Sequence, residues 1–362
     1  MSTLTNISIE NDRGFYGRRD IALATPTGAR GSGLTILVGP NNSGKSTVVA
    51  ALRLVTGEPK QIDLEHRHQD ARLAITVTNS EGIEKTITNP DLGATTVIQG
   101  QANAYPTSEN IRLVPSRRAW SAYTGHQRMD VQQYWDRAKE QPAEDTFFIS
   151  RLAALTGAQR DAYNILLKEL LPELSSWRIE LSRGQTFVLY KTKSGALHAA
   201  DLFGDGMASL FRLSLALFDS SATQVIVVDE PELSLHPQAQ KTLASVLSRY
   251  AADRQIIITS HSPYFVSWAD LANGTKVYRL TQREDGIAIG SLDLCTIANL
   301  KGLTDDWQKP SLLDAVSREI FLLTKYYLLK VKKMWGCFES VVSTRICLKW
   351  QFLDMALAGL AT

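Results

Sequence analysis

Residues 39–47 read Gly39-Pro40-Asn41-Asn42-Ser43-Gly44-Lys45-Ser46-Thr47, and this stretch decides the fold. It fits the phosphate-binding pattern G-x-x-x-x-G-K-S/T. An apolar run, Leu34 to Val38, precedes it, and a helical-looking run over residues 47–55 follows. Strand, loop and helix in that order are the context the pattern needs. Glycines let backbone N–H groups approach a polyphosphate, and the helix N-terminus adds positive potential. The expected phosphate contacts are Gly39, Asn42, Ser43, Gly44, Lys45, Ser46 and Thr47. Lys45 would reach the β- and γ-phosphates, and the Ser46 hydroxyl would ligate Mg²⁺. The bland alternative is a Gly/Asn-rich turn.

Three further segments belong with it. Residues 224–232 read QVIVVDEPE, and the four apolar residues Val225 to Val228 predict a strand buried on both faces. It ends in Asp229-Glu230. Beside a phosphate loop, Asp229 can hold Mg²⁺ through water, and Glu230 can serve as general base toward the attacking water. Residues 255–261, QIIITSH, predict another buried strand with His261 just past its end, where it can touch the γ-phosphate or the attacking water. Residues 201–211, DLFGDGMASLF, put the Gly204-Asp205-Gly206 loop at the start of a helical stretch. A helix N-terminus of this kind is a second anion site.

In this order the four segments resemble the ATP-binding-cassette type of ATPase. The resemblance implies an α/β P-loop fold with a mixed or parallel core sheet, an antiparallel β subdomain and a helical arm. It also implies ATP and Mg²⁺ as ligands, bound as two ATPs sandwiched in a head-to-tail homodimer or a higher homo-oligomer. Gly204, Asp205 and Gly206 would then contact the nucleotide held by the partner copy. The strings LTILVGPNNSGKST, VPSRRAW, LFGDGMASLFRLSLAL, VVDEPELSLHPQAQ and TSHSPYF look like the OLD-family ATP-dependent endonucleases, over about residues 7–321. That implies antiphage defence or DNA processing, with DNA as a partner of an intact family member, and residues 234–236 as the loop that signals across the dimer. The sequence departs from the transporter-type SGGQ signature with GDGMAS, which leaves Ala208 and Ser209 without an assigned role. Gln99 and Gln101 are the candidates for the metal-contacting glutamine of the family.

The chain has 362 residues, three cysteines without paired spacing and a formal net charge of +2. This is enough length for about two domains, and it gives no disulfide framework. The polar, alternating start does not read as a signal peptide, and no apolar run approaches the roughly 18 residues a membrane span needs. A cytoplasmic protein without membrane contact is expected. Residues 7–23 predict strands turning near Arg13-Gly14, and residues 72–88 a hairpin around Glu81-Gly82. Residues 93–106 look turn-rich. Residues 134–174 read as a helical insertion, placed at about 127–176, which is either a dimerising arm or an ordinary helical subdomain. Residues 177–190 alternate up to a turn at 193–195, giving a second hairpin, residues 238–250 form an amphipathic helix, and residues 276–280 and 287–289 close the domain as strands. Arg117 and Arg118 meet phosphate or lie on a solvated or salt-bridged face.

Residues 1–320 therefore form the expected ATPase domain. Residues 321–362 carry a net +4, two of the cysteines and poor periodicity. The OLD-family resemblance puts the start of a metal-dependent Toprim nuclease here, yet no glutamate follows an apolar strand and Asp354 is the only aspartate. Codons permitted for residues 325–336, read from the third base, spell (Val or Ile)-LLVEGQEDVG. Residues 351–359 permit GYGVGG in the same frame. The tail is thus read as an out-of-frame product, slipped near Phe321-Leu322, or as a genuine divergent C-terminal helix. The function classes carried forward are the ATPase part of an OLD-type nuclease without DNA cleavage and a stand-alone ATPase recruiting a separate nuclease or effector. An SMC-like repair clamp is a third, opposed by the lack of long heptads. A transporter ATPase would need a membrane partner.

Overall fold

The computed structural model describes residues 2–56, 71–89, 97–100, 106, 110–116, 118, 124–125, 128–140, 147–182, 185–199 and 204–291. The expected boundary at residue 320, the tail, Arg117 and Gln101 lie outside these residues.

The chain opens with an antiparallel pair, β1 (Leu4–Glu10) and β2 (Arg18–Ala22). β3 (Leu34–Val38) then enters the core, and the glycine-bearing loop leads into α1 (Lys45–Thr56). β4 (Ala74–Asn79), β5 (Glu84–Thr88) and β6 (Val97–Gly100) extend the antiparallel sheet. β7 (Ile111–Val114) returns to the core, and β8 (Thr124–Gly125) follows. Three helices come next, α2 (Val131–Glu140), α3 (Phe148–Ala154) and α4 (Gly157–Leu170). β9 (Leu174–Ser182), β10 (Gln185–Thr192) and β11 (Leu197–Ala199) form a third sheet with β8. α5 (Asp205–Asp219), β12 (Val225–Asp229), α6 (Pro237–Tyr250) and β13 (Gln255–Ser260) alternate as in doubly wound folds. The short α7 (Trp268–Ala272), β14 (Lys276–Arg283) and β15 (Gly286–Ser291) complete the described chain.

The core sheet runs β15-β14-β3-β13-β12-β7, parallel from β14 to β7, with β15 antiparallel at the edge. Strands buried on both faces must be apolar throughout, and all six residues of β13 are buried. Their side chains alternate between two cores. Ile226, Val228, Ile256 and Ile258 join α5, α6 and the α2–α4 lobe. Val225, Val227 and Ile257 join α1 and the antiparallel sheet. Helix α1 contributes Val48, Ala51, Leu52 and Val55, one stripe at helical spacing. It is therefore gripped between two sheets, which fixes the loop that feeds it. At the far end Gln255 replaces strand pairing with its amide: it accepts from Leu4 N at 2.7 Å and donates to Leu4 O and Ala24 O at 2.6 and 2.7 Å.

Two expectations change. Residues 93–106 include a strand, β6, which pairs with β5. The alternation over residues 177–190 is two strands folded on each other as β9 and β10, because period-two alternation continues unbroken across a hairpin.

Candidate nucleotide-binding site

Parallel register collects the functional segments at one end of the sheet. Ser260 pairs with Val38, Asp229 with Thr259 and Val228 with Val114. The loops following β3, β12, β13 and β7 consequently leave the sheet together, at the carboxyl ends where α/β folds bind ligands.

The loop after β3 is built for close approach. A Cβ on Gly39 would collide with the Leu280 carbonyl, and one on Gly44 with Ile287. Gly44 has φ +91° and Asn42 φ +61°, left-handed conformations that glycine and asparagine tolerate best. Lys45 is folded back onto its own loop, donating to the Gly39 and Pro40 carbonyls at 2.9 Å. Burial lowers its ammonium pKa, while Glu230, Asp229 and Glu232 pull it upward, so all three carboxylates lie within electrostatic reach. Ser43 and Thr47 are buried, and Ser46 is exposed at the first turn of α1.

The loop after β12 is held by Thr259. Its hydroxyl donates to Asp229 Oδ1 and accepts from the Glu230 N–H at 3.0 Å. Glu230 has φ +46°, a conformation costing a non-glycine residue about 1–3 kcal/mol. Its Oε1 lies 3.4 Å from His261 Nε2. The His261 backbone N–H donates to Glu232 Oε1, and Glu232 Oε2 is buried without a hydrogen-bond partner.

The donor set fits Mg²⁺·nucleotide. Among the described residues no group of three or more His, Cys, Asp or Glu side chains could hold a metal. One hydroxyl and one carboxylate, Ser46 and Asp229, form the sparse set that Mg²⁺ uses when phosphates and water complete its shell.

Helix α5 abuts this apparatus. Gly204 and Asp205 are exposed at its start. A Cβ on Gly206 would lie 2.5 Å from the Ser234 carbonyl, so only glycine lets the helix meet the loop after Asp229 this closely. Ser234 itself has φ +62°. Gln240 on α6 ties that loop to the next, donating to Leu235 O at 2.8 Å and accepting from Ser262 Oγ at 2.6 Å. His236 caps α6, its Nδ1 accepting from Gln238 N at 3.3 Å.

Arg118 corrects the sequence reading of a solvated or salt-bridged face. It is buried and bonded to neutral acceptors: Ser209 Oγ at 2.6 Å, Pro115 O at 3.0 Å, Asp229 O at 2.9 Å and Glu230 O at 2.6 Å. Burial pushes its pKa down to about 10, against the pull of Glu232. This bond also accounts for Ser209. Gln99 lies on β6, opposite Thr86 in the antiparallel sheet, with its side chain exposed; the segment leaving the core beside Asp229 is instead the one that carries Pro115, Ser116 and Arg118. Thr259 and Glu232 are not named as candidates from the sequence, and Arg118 is read there only as a phosphate contact or part of a solvated or salt-bridged face. Position just past or at the end of a core strand was the available signal for the first two.

The family model described as "AAA domain, putative AbiEii toxin, Type IV TA system" matches residues 34–267. No curated protein matches the chain. Among solved structures, an Smc head bound to the C-terminal winged-helix domain of ScpA is 14% identical with a TM-score of 0.55, covering 80% of this chain and 98% of that one. The Smc head with an extended coiled coil from Pyrococcus furiosus is 14% identical with a TM-score of 0.54, over 85% of this chain and all of that one. The Pyrococcus yayanosii Smc head is 11% identical, with the same TM-score and coverage. At such identities the likeness is one of fold: an α/β P-loop ATPase fold like that of Smc heads.

Proposed function

This chain belongs to that AAA-domain family, and we propose that it binds and hydrolyses ATP between two copies of itself arranged head to tail. The observation that carries the reading is the convergence of Lys45, Asp229, Glu230 and His261 at one end of the core sheet, with Thr259 gripping the two carboxylate residues. Lys45 exchanges its loop carbonyls for the β- and γ-phosphates. Backbone groups over residues 39–47 cradle them. Ser46 and Asp229 would hold Mg²⁺, which when bound would supply charge neutralisation for the transferred phosphoryl group. Glu230 takes a proton from the attacking water as its oxygen bonds to the γ-phosphorus and the bond to ADP breaks. His261, adjoining Glu230, contacts the γ-phosphate. Gly204, Asp205 and Gly206 reach the partner's ATP, a role that suits the exposure of the first two.

The test is direct. Lys45→Ala is expected to weaken ATP binding by roughly a hundredfold or more, the loss of a buried charge-assisted contact. Glu230→Gln should still bind ATP, lower kcat by roughly a hundredfold or more, and accumulate as an ATP-bound dimer in light scattering. Hydrolysis at the wild-type rate by Glu230→Gln would sink the base assignment.

The setting we favour is that of the OLD-family endonucleases, on the strength of the motif strings, with DNA as the substrate of the assembled enzyme. Residues 321–362 carry no glutamate after an apolar strand and no Asp-x-Asp pair, so ATP hydrolysis without DNA cleavage is expected of this sequence, with recruitment of a separate nuclease or effector as the second reading. Metal-dependent nicking of plasmid by the purified chain would contradict that. Sequencing the DNA over codons 317–362 in all three frames decides between an out-of-frame and a genuine tail.

A further inference from the structure

We infer that Arg118 is a positioning residue that makes the geometry of Glu230 depend on the seating of helix α5. The inference rests on the ATPase reading for its consequence, but not for its structural content. Three separate elements supply the acceptors of one guanidinium. Pro115 opens the segment after β7, Asp229 ends β12 and Glu230 follows it, and Ser209 lies one turn into α5. All three guanidinium nitrogens are used, and none of these bonds goes to a carboxylate.

A planar fork does this where an ammonium cannot, because its donors are fixed relative to one another. A shift of α5 that pulls Ser209 away must rotate the fork, and the fork carries the Asp229 and Glu230 carbonyls with it. Those carbonyls belong to a strained turn. Glu230, at φ +46°, is pinned by Thr259 through its N–H and by Arg118 through its C=O. Release of one pin lets the backbone relax and swings the carboxylate away from His261, now 3.4 Å off. The first turn of α5 also approaches Ser234 at Gly206, so closely that no side chain would fit between them. The helix is therefore linked to the loop after Asp229 in two ways, by the close approach of Gly206 to Ser234 and, through Arg118, by hydrogen bonds. A partner copy that engages residues 204–206 would in this way set the water-activating carboxylate of the subunit it touches, coupling assembly to hydrolysis.

The experiment compares Arg118→Lys and Ser209→Ala with the wild-type chain by ATP affinity, kcat and hydrogen exchange over residues 229–235 without nucleotide. Arg118→Lys should lower kcat by roughly tenfold or more, the worth of a charge-assisted hydrogen bond, and change ATP affinity less than about threefold. Exchange over residues 229–235 should quicken by a similar factor, while α1 and β3 stay protected. Ser209→Ala removes one acceptor without touching the buried charge, so it keeps the test alive if Arg118→Lys does not fold. It should produce the same pattern at about a third of the size or more on the free-energy scale of a single hydrogen bond. Unchanged exchange over residues 229–235 in both variants overturns the coupling. So does a loss of affinity equal to the loss of kcat, which a merely structural role would give. A wild-type chain that hydrolyses no ATP refutes the function proposed above and leaves the exchange measurement to decide the coupling.

Discussion

Two buried arginines bracket one strand, and they are held in opposite ways. Arg112 lies within β7 and Arg118 just past its end; burial pushes both pKa values down to about 10. Every nitrogen of Arg118 meets an aimed acceptor. Arg112 instead lies over the Trp135 ring, 4.9 Å from its centroid, with Nε and Nη1 unpartnered. Its main compensating charge is Asp219, which is already committed: Arg151 approaches it at 2.6 and 3.0 Å and Trp135 Nε1 at 3.2 Å. Arg151 and Arg254 work against Arg112's charge. One end of the sheet thus uses a guanidinium for directional bonds to three separate elements. The other gathers cations around a single carboxylate to fasten the helical lobe to the sheet. A buried charge is costly in either setting, so its arrangement tells more than its presence.

The sharpest break in that contrast is Asp219→Asn. It strips a side chain that is 1% exposed of the charge that Arg151 needs. Leaving buried cations uncompensated should cost about 3–5 kcal/mol in chemical denaturation, with ATP affinity unchanged in the protein that remains folded. A matching loss of affinity would mean the two ends are not separate. Next in size is Gly206→Ala at the nucleotide end. The new methyl must push back the Ser234 carbonyl, for about 1–3 kcal/mol by the same measurement, and kcat should fall by more than the stability loss accounts for. The smallest effect is expected from Arg112→Met. Losing a cation–π contact worth about 0.5–2 kcal/mol and an unsatisfied group costing about 1–3 kcal/mol nearly cancel. The variant should stay within about 1 kcal/mol of the wild type, where Arg118→Met would not.

The same two residues explain where the sequence was readable. β3, β12 and β13 announce themselves as apolar runs, so the residues at or past their ends, Lys45, Asp229, Glu230 and His261, could be named as candidates before the structure brought them to one end of the sheet. β7 belongs to the same sheet, but reads Ile-Arg-Leu-Val; the buried Arg112 breaks its run and hides it. Arg118 was legible only as half of a charged doublet. What buries it comes from residues 209, 229 and 230, far along the chain, and no local pattern carries that information. The helical stripe of α1 was plain, whereas β6 was lost in a turn-rich composition because a short edge strand needs only its partner to form.

The pairing order of the core sheet also shapes how the protein is made. β3 is buried along its whole length, yet both its neighbours are synthesised much later: Leu34 pairs with Ile256 and Thr35 with Lys276. At a ribosomal pace of about 5–20 residues per second, this apolar strand waits roughly ten to forty seconds for either edge to be covered. Until then the nascent chain carries an adhesive segment directly ahead of its phosphate loop. Early docking of the antiparallel sheet and α1 would cover one face of it, but its hydrogen-bonding edges stay open until β13 has emerged.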